Sequence, residues 1–139
     1  NWVFGCDVCQ QVCPWNRFTD ETAPPVFKPR PEVIAPNLIQ ELHLTSTEFN
    51  RKFKDNPIVR AKRRGYLRNI AVALGNSRDQ AAIPALSQSL GEAEPLARGH
   101  AAWALGQMES EAAQQALHMA LGIEVDPWVI TEIQAALGH

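Results

Sequence analysis

At 139 residues, 45% hydrophobic and 20% charged, the chain is long enough for one domain with a real core and ordinary for a soluble globular protein. No run of about 18 apolar residues occurs, so no membrane span is expected, and no signal-peptide pattern opens the chain. The net charge of −2 hides a segregation: residues 51–68 hold eight of the thirteen basic residues and one acid, whereas residues 69–139 hold two arginines and eight acids.

Residues 1–19 form a cysteine segment, with GCDVCQQVCPWN at 5–16. Cys6, Cys9 and Cys13 stand at C-x2-C-x3-C-P spacing and are the only cysteines in the chain. An odd count of close thiols does not suit a secreted disulfide scaffold, so reduced thiols and a cytoplasmic setting are expected. The chain opens at Asn1 and not at Met, and a fragment of a longer protein is expected.

Residues 20–36 carry five prolines, a density that forbids a regular helix or central strand; an extended linker is expected there. From Asn37 the texture turns helical, and residues 37–139 read as one helical domain. NLIQELHL and STEFNRKFK are short helices, the second with Thr45 or Ser46 as N-cap. The basic run RKFKDNPIVRAKRRGYLR leads into a helix whose Leu67, Ile70, Ala71 and Leu74 follow the i, i+3, i+4, i+7 spacing of a buried stripe. Ala-Leu-Gly recurs at 73–75, 104–106 and 136–138, and AAIPALSQSLG at 81–91 aligns with AAQQALHMALG at 112–122. A period near 31 residues with two helices per unit predicts an all-α fold, a HEAT-like α-solenoid of stacked hairpins. The repeat glycines are expected to end their helices in the left-handed conformation.

Three chemistries compete for the cysteines. They could be buried structural thiols, although core cysteines seldom scatter at ligand spacing. They could hold zinc, but His43, His100, His118 and His139 lie far from them in sequence. They could serve iron–sulfur clusters, since ferredoxin cysteine runs end in Cys-Pro and the last cysteine can ligate a second cluster. On this third reading Cys6 and Cys9 serve one cluster, Cys13 another, and the remaining ligands lie outside the chain.

FGCDVCQQVCPWN, followed by EFNRKFKDNPIVRAKRRGYLRNIAVALGN and then helical repeats, resembles the epoxyqueuosine reductases over nearly the whole chain. The resemblance implies an iron–sulfur and cobalamin-dependent oxidoreductase that reduces epoxyqueuosine to queuosine in the tRNA anticodon loop. It implies two [4Fe–4S] clusters, Cys6 and Cys9 ligating one and Cys13 completing the other. Cobalamin and the catalytic acid would belong to a part absent here, so no catalytic residue is expected in this chain, and the chain alone should be inactive. An electron donor would feed the clusters, and a monomer is expected.

The basic run has a bland reading, a solvated helix face, and a functional one, phosphate contact with tRNA. On a helical wheel Arg64 and Arg68 flank the apolar arc, while Arg63 projects nearer its middle and is expected to pair internally or sit at the helix end. The expected RNA contacts are therefore Lys62, Arg64 and Arg68, followed by Arg60 and Lys54. Tyr66 reads as a packing residue before a base-stacking one. Trp15, after the cluster proline, is expected to shield a cluster or to pack at the linker. Trp103, Trp128 and His100 read as packing residues. Two rival functions stay open: a HEAT-type protein-interaction scaffold, and a different two-cluster ferredoxin-like reductase acting on a small molecule.

Overall fold

The computed structural model describes residues 3–18 and 35–138. Apart from Ala35 and Pro36, the expected linker lies outside the described residues. All regular structure among the described residues is helical, and the helices stack as the hairpins of an α-solenoid.

The cysteine segment holds one short helix, α1 (Val8–Gln11), and a 3-10 turn over Pro14–Phe18. α2 (Leu38–Glu41) starts where the Asn37 side chain accepts from the amides of Ile39 and Gln40. α3 (Ser46–Lys52) starts at Thr45 with a complete capping box: Thr45 Oγ1 accepts from the Glu48 amide and Glu48 accepts from the Thr45 amide. A 3-10 turn over Pro57–Ala61, capped by Asn56, leads into α4 (Lys62–Ser77). α5 (Ile83–Ser89), α6 (Pro95–Gly106), α7 (Glu111–Leu121) and α8 (Pro127–Leu137) complete the chain. Prolines at the first turns of α5, α6 and α8 lose no helical hydrogen bond there, and Asp126 caps α8 at the amides of Trp128 and Val129.

α4, α6 and α8 stack as the inner layer, and α5 and α7 lie outside them. The predicted stripe of α4 is the face that stacks: Leu67, Ile70, Ala71 and Leu74 are all buried. Each large aliphatic side chain so buried contributes about 1.5–3 kcal/mol. Leu86, Leu105, Leu117, Val129 and Ile133 continue the core from repeat to repeat. At the first hairpin the core is aromatic, with Phe49, Phe53 and Tyr66 in mutual tilted and edge contacts at 4.9–5.6 Å between centroids.

The repeat glycines correct one expectation. Gly75 lies inside α4, whose left-handed C-cap is Arg78 (φ 54°), and α6 ends at Gln107 in the right-handed region. Of the three Ala-Leu-Gly copies only Gly138 has positive φ, at 82°. Gly75 and Gly106 serve close approach instead. A Cβ on Gly75 would lie 2.9 Å from the Ala104 Cα, and one on Gly106 would lie 3.0 Å from the Ala136 Cα. Each glycine thus seats the alanine of the next Ala-Leu-Gly copy, and the two inner helices touch backbone to backbone.

Two arginines tie the inner helices to the connectors between hairpins. Arg63 donates from Nη1 and Nη2 to Glu92 and from Nε to the Leu44 carbonyl. Arg98 donates from Nε and Nη2 to Glu124, and from Nη1 to the carbonyls of Glu92 and Ala93. The fork geometry of guanidinium suits such bidentate pairs. The Arg98 hydrogen bonds hold the Glu124 carboxyl far below the usual carboxylate range, at about 2.

Candidate functional site

Gly5, at φ 75°, turns the chain into the cysteine run, and Pro14 cannot continue α1. Cys13 therefore sits at the junction of α1 and the 3-10 turn, where its carbonyl accepts from the Asn16 amide. The Asn16 side chain folds back to donate to the Gln10 carbonyl at 2.9 Å. Cys6 and Cys9 are exposed free thiols and Cys13 is half-buried. Among the described residues no three potential ligands come together as a metal site. The thiols present here therefore do not by themselves fit a cluster, which requires four ligands. Phe4, Val8, Val12 and Phe18 add exposed apolar surface to the segment, and Trp15 is 82% exposed rather than packed.

The cations of the basic run meet different surroundings. Lys52 pairs with the buried Glu41, whose other oxygen accepts from the Tyr66 hydroxyl at 3.0 Å. Burial, and then the Glu41 charge, push the Tyr66 hydroxyl well above its ordinary pKa. Tyr66 is a packing residue, 2% exposed, and is not presented to a base. Arg63 is consumed by Glu92, the internal pairing expected of it. Lys54, Arg60, Lys62 and Arg64 are exposed, whereas Arg68 is half-buried and donates from Nε and Nη2 to the side-chain Oδ1 of Asn69.

Lys62 and Arg64 meet at an open groove of about 380 Å³ between α3 and the start of α4. Ser46 and Asn50 line its α3 side, Val59 and Phe49 give it apolar wall, and Arg63 and Glu94 also line it. The start of α4 is electrostatically unfavourable by itself. No side chain caps it and no acid occupies its first turn, yet Lys62, Arg63 and Arg64 lie there. Cations at the positive end of a helix dipole cost roughly 0.3–1 kcal/mol each. Glu92 compensates Arg63; among the described residues Lys62 and Arg64 make no ion pair. Lys62 also holds φ 55° and ψ 163°, a conformation that only glycine takes easily. An anion in the groove would relieve the electrostatic cost.

Sequence reasoning missed Glu41, Glu92 and Asn69, which decide the fate of Lys52, Arg63 and Arg68. Only their partners' positions in space reveal them. The readings of Trp103 and His100 as packing residues hold, whereas Trp128 stays 40% exposed. Trp103 covers Gly75 and Trp128 covers Gly99, while His100 Nδ1 lies 2.9 Å from the Leu96 carbonyl.

The family model for HEAT repeats matches residues 56–138. An epoxyqueuosine reductase of Escherichia coli (strain K12) is 41% identical over 108 residues, which are 77% of this chain and 28% of that protein. One from Listeria monocytogenes is 34% identical over 136 residues, 97% of this chain and 36% of that protein. The chain thus spans about a third of the length of these relatives. Among solved structures, an epoxyqueuosine reductase with an epoxyqueuosine-modified tRNA-Tyr stem loop superposes with a TM-score of 0.88 at 33% identity. That match covers 98% of this chain and 36% of the other.

Proposed function

Since the chain belongs to the HEAT-repeat family and has epoxyqueuosine reductases as relatives along nearly its whole length, we propose that it serves the reduction of epoxyqueuosine to queuosine in tRNA. It does so as part of a larger oxidoreductase of the relatives' length. Cys6 and Cys9 donate thiolates to one [4Fe–4S] cluster and Cys13 to a second, with the other ligands outside this chain. Trp15 covers a cluster in the complete protein. Cobalamin is bound outside residues 1–139, so the chain alone is inactive, and an electron donor feeds the clusters. The working protein is a cytoplasmic monomer, divided as a cysteine segment, a proline-rich linker and the helical repeats.

Docking of the tRNA anticodon stem-loop falls to the cationic face around Lys62 and Arg64, with Arg60, Lys54 and Arg68 along its flanks. The observation that carries this is the groove itself: two uncompensated cations and an uncapped helix start, in a fold that in a relative is seen with a tRNA stem loop. Phosphate contacts there position the RNA, while the modified nucleotide reaches chemistry elsewhere in the protein.

The test is a Lys62→Glu, Arg64→Glu double variant of the complete reductase, titrated with the anticodon stem-loop over a range of salt. Binding should weaken at least about tenfold, and the log–log salt slope should fall by about one for each phosphate that the protein no longer neutralises. Arg63→Gln, which breaks a structural pair, should lower stability and leave the salt slope unchanged. Unaltered affinity in the double variant would refute docking at this groove. Equal binding of an acidic protein would favour the scaffold reading.

A further inference from the structure

One side chain joins the solenoid to the cysteine segment. Asn69, at the middle of α4, donates from Nδ2 to the Val3 carbonyl at 2.7 Å. Its Oδ1 accepts from Arg68 Nε at 3.0 Å and Nη2 at 2.8 Å. Val3 lies three residues before Cys6 and packs its side chain against the core. The amide can be oriented in only one way, because a guanidinium can only donate and a peptide carbonyl can only accept. The site asks for an acceptor at one end and a donor at the other, on a short side chain. Asparagine meets all three demands. Aspartate would keep the guanidinium but set oxygen against oxygen at Val3, and leucine would satisfy neither partner.

We infer that Asn69 is a positioning residue for the cysteine segment: it clasps the backbone ahead of Cys6 onto α4, oriented by Arg68, and so sets where the thiolates are held relative to the repeats. This rests on the proposed role of Cys6, Cys9 and Cys13 as cluster ligands. α4 is also the helix that opens at the cationic groove, so the same rigid element carries the RNA-facing cations and the anchor of the cysteine segment.

The test uses the complete reductase, prepared without oxygen and with iron bound, as wild type, Asn69→Leu and Asn69→Asp. Hydrogen exchange of residues 3–13 should speed up about three- to tenfold in Asn69→Leu, the factor that one net hydrogen bond supplies. Exchange in α6–α8 should not change, which separates loss of the clasp from loss of the fold. Asn69→Asp should loosen the segment at least as much, although it retains an acceptor for Arg68. Iron release to a chelator should accelerate in both variants. Unchanged exchange in residues 3–13 in both variants overturns the clasp. Faster exchange with unchanged iron release overturns the positioning role, because the segment would then loosen without effect on the thiolates. Iron content unaltered by Cys6→Ala, Cys9→Ala and Cys13→Ala refutes the cluster reading instead, and exchange of residues 3–13 still decides the clasp.

Discussion

Replacing Gly75 with alanine sets two effects of known sign against each other. Alanine is the better helix former by about 1 kcal/mol. At position 75, however, the new Cβ would lie 2.7 Å from Trp103 Cζ3 and 2.9 Å from the Ala104 Cα, below the 3.0 Å that real Cβ atoms keep. The half-exposed Trp103 ring can swing away, but the Ala104 Cα is backbone of α6 and can yield only if the two inner helices part. Overpacking of this kind costs about 1–3 kcal/mol, and the packing of α4 on α6 is central to the stack. The expected net effect, that cost less the propensity gain, is a loss of up to about 2 kcal/mol, or a fall of up to roughly 8 °C in Tm. Gly65, in the same helix, is the control. A Cβ there would meet only the Ala61 Cβ at 3.6 Å, an ordinary approach. Gly65→Ala should therefore stabilise by up to about 1 kcal/mol. Thermal unfolding followed by circular dichroism at 222 nm reads both. A Gly75→Ala protein melting at or above the Gly65→Ala protein would refute the argument that the repeat glycine is there to let helices touch.

Two further expectations concern buried polar groups. The Glu124 carboxyl, with a pKa of about 2 in the fold against an ordinary 4.5, stabilises fully above pH 4.5, and that contribution is lost as the pH falls toward 2. Glu124→Gln should cost about 2 kcal/mol at neutral pH and flatten the decline of the urea midpoint between pH 4.5 and 2; an equally steep decline would contradict the pairing with Arg98. Tyr66→Phe removes one of the two donors on the buried Glu41 and should cost about 1–2 kcal/mol in urea unfolding at pH 7, with a midpoint equal to wild type as the contrary result.

What the sequence determined by itself is what local periodicity and spacing encode. The stripe of Leu67, Ile70, Ala71 and Leu74, a cap at Thr45 or Ser46, and the 31-residue recurrence of Ala-Leu-Gly each need only a few turns of helix to be legible. They were enough to predict stacked helical hairpins. The C-x2-C-x3-C-P spacing of Cys6, Cys9 and Cys13 was legible for the same reason, because it is local. The wheel also placed Arg63 against the apolar arc, and Glu92 is the partner that meets it there.

Only the tertiary structure decided which partner each polar group finds, since those partners are remote in the chain. Arg63 and Glu92 are 29 residues apart, Tyr66 and Glu41 are 25 apart, and Asn69 reaches Val3 over 66. The charge pattern of residues 51–68 weighs its cations equally, yet the fold neutralises Lys52 and Arg63, turns Arg68 onto Asn69, and leaves Lys62 and Arg64 at a groove. The glycines carry the same lesson. A helix-ending glycine and a helix-touching glycine look identical in sequence, because the backbone that excludes a Cβ at Gly75 belongs to the next repeat.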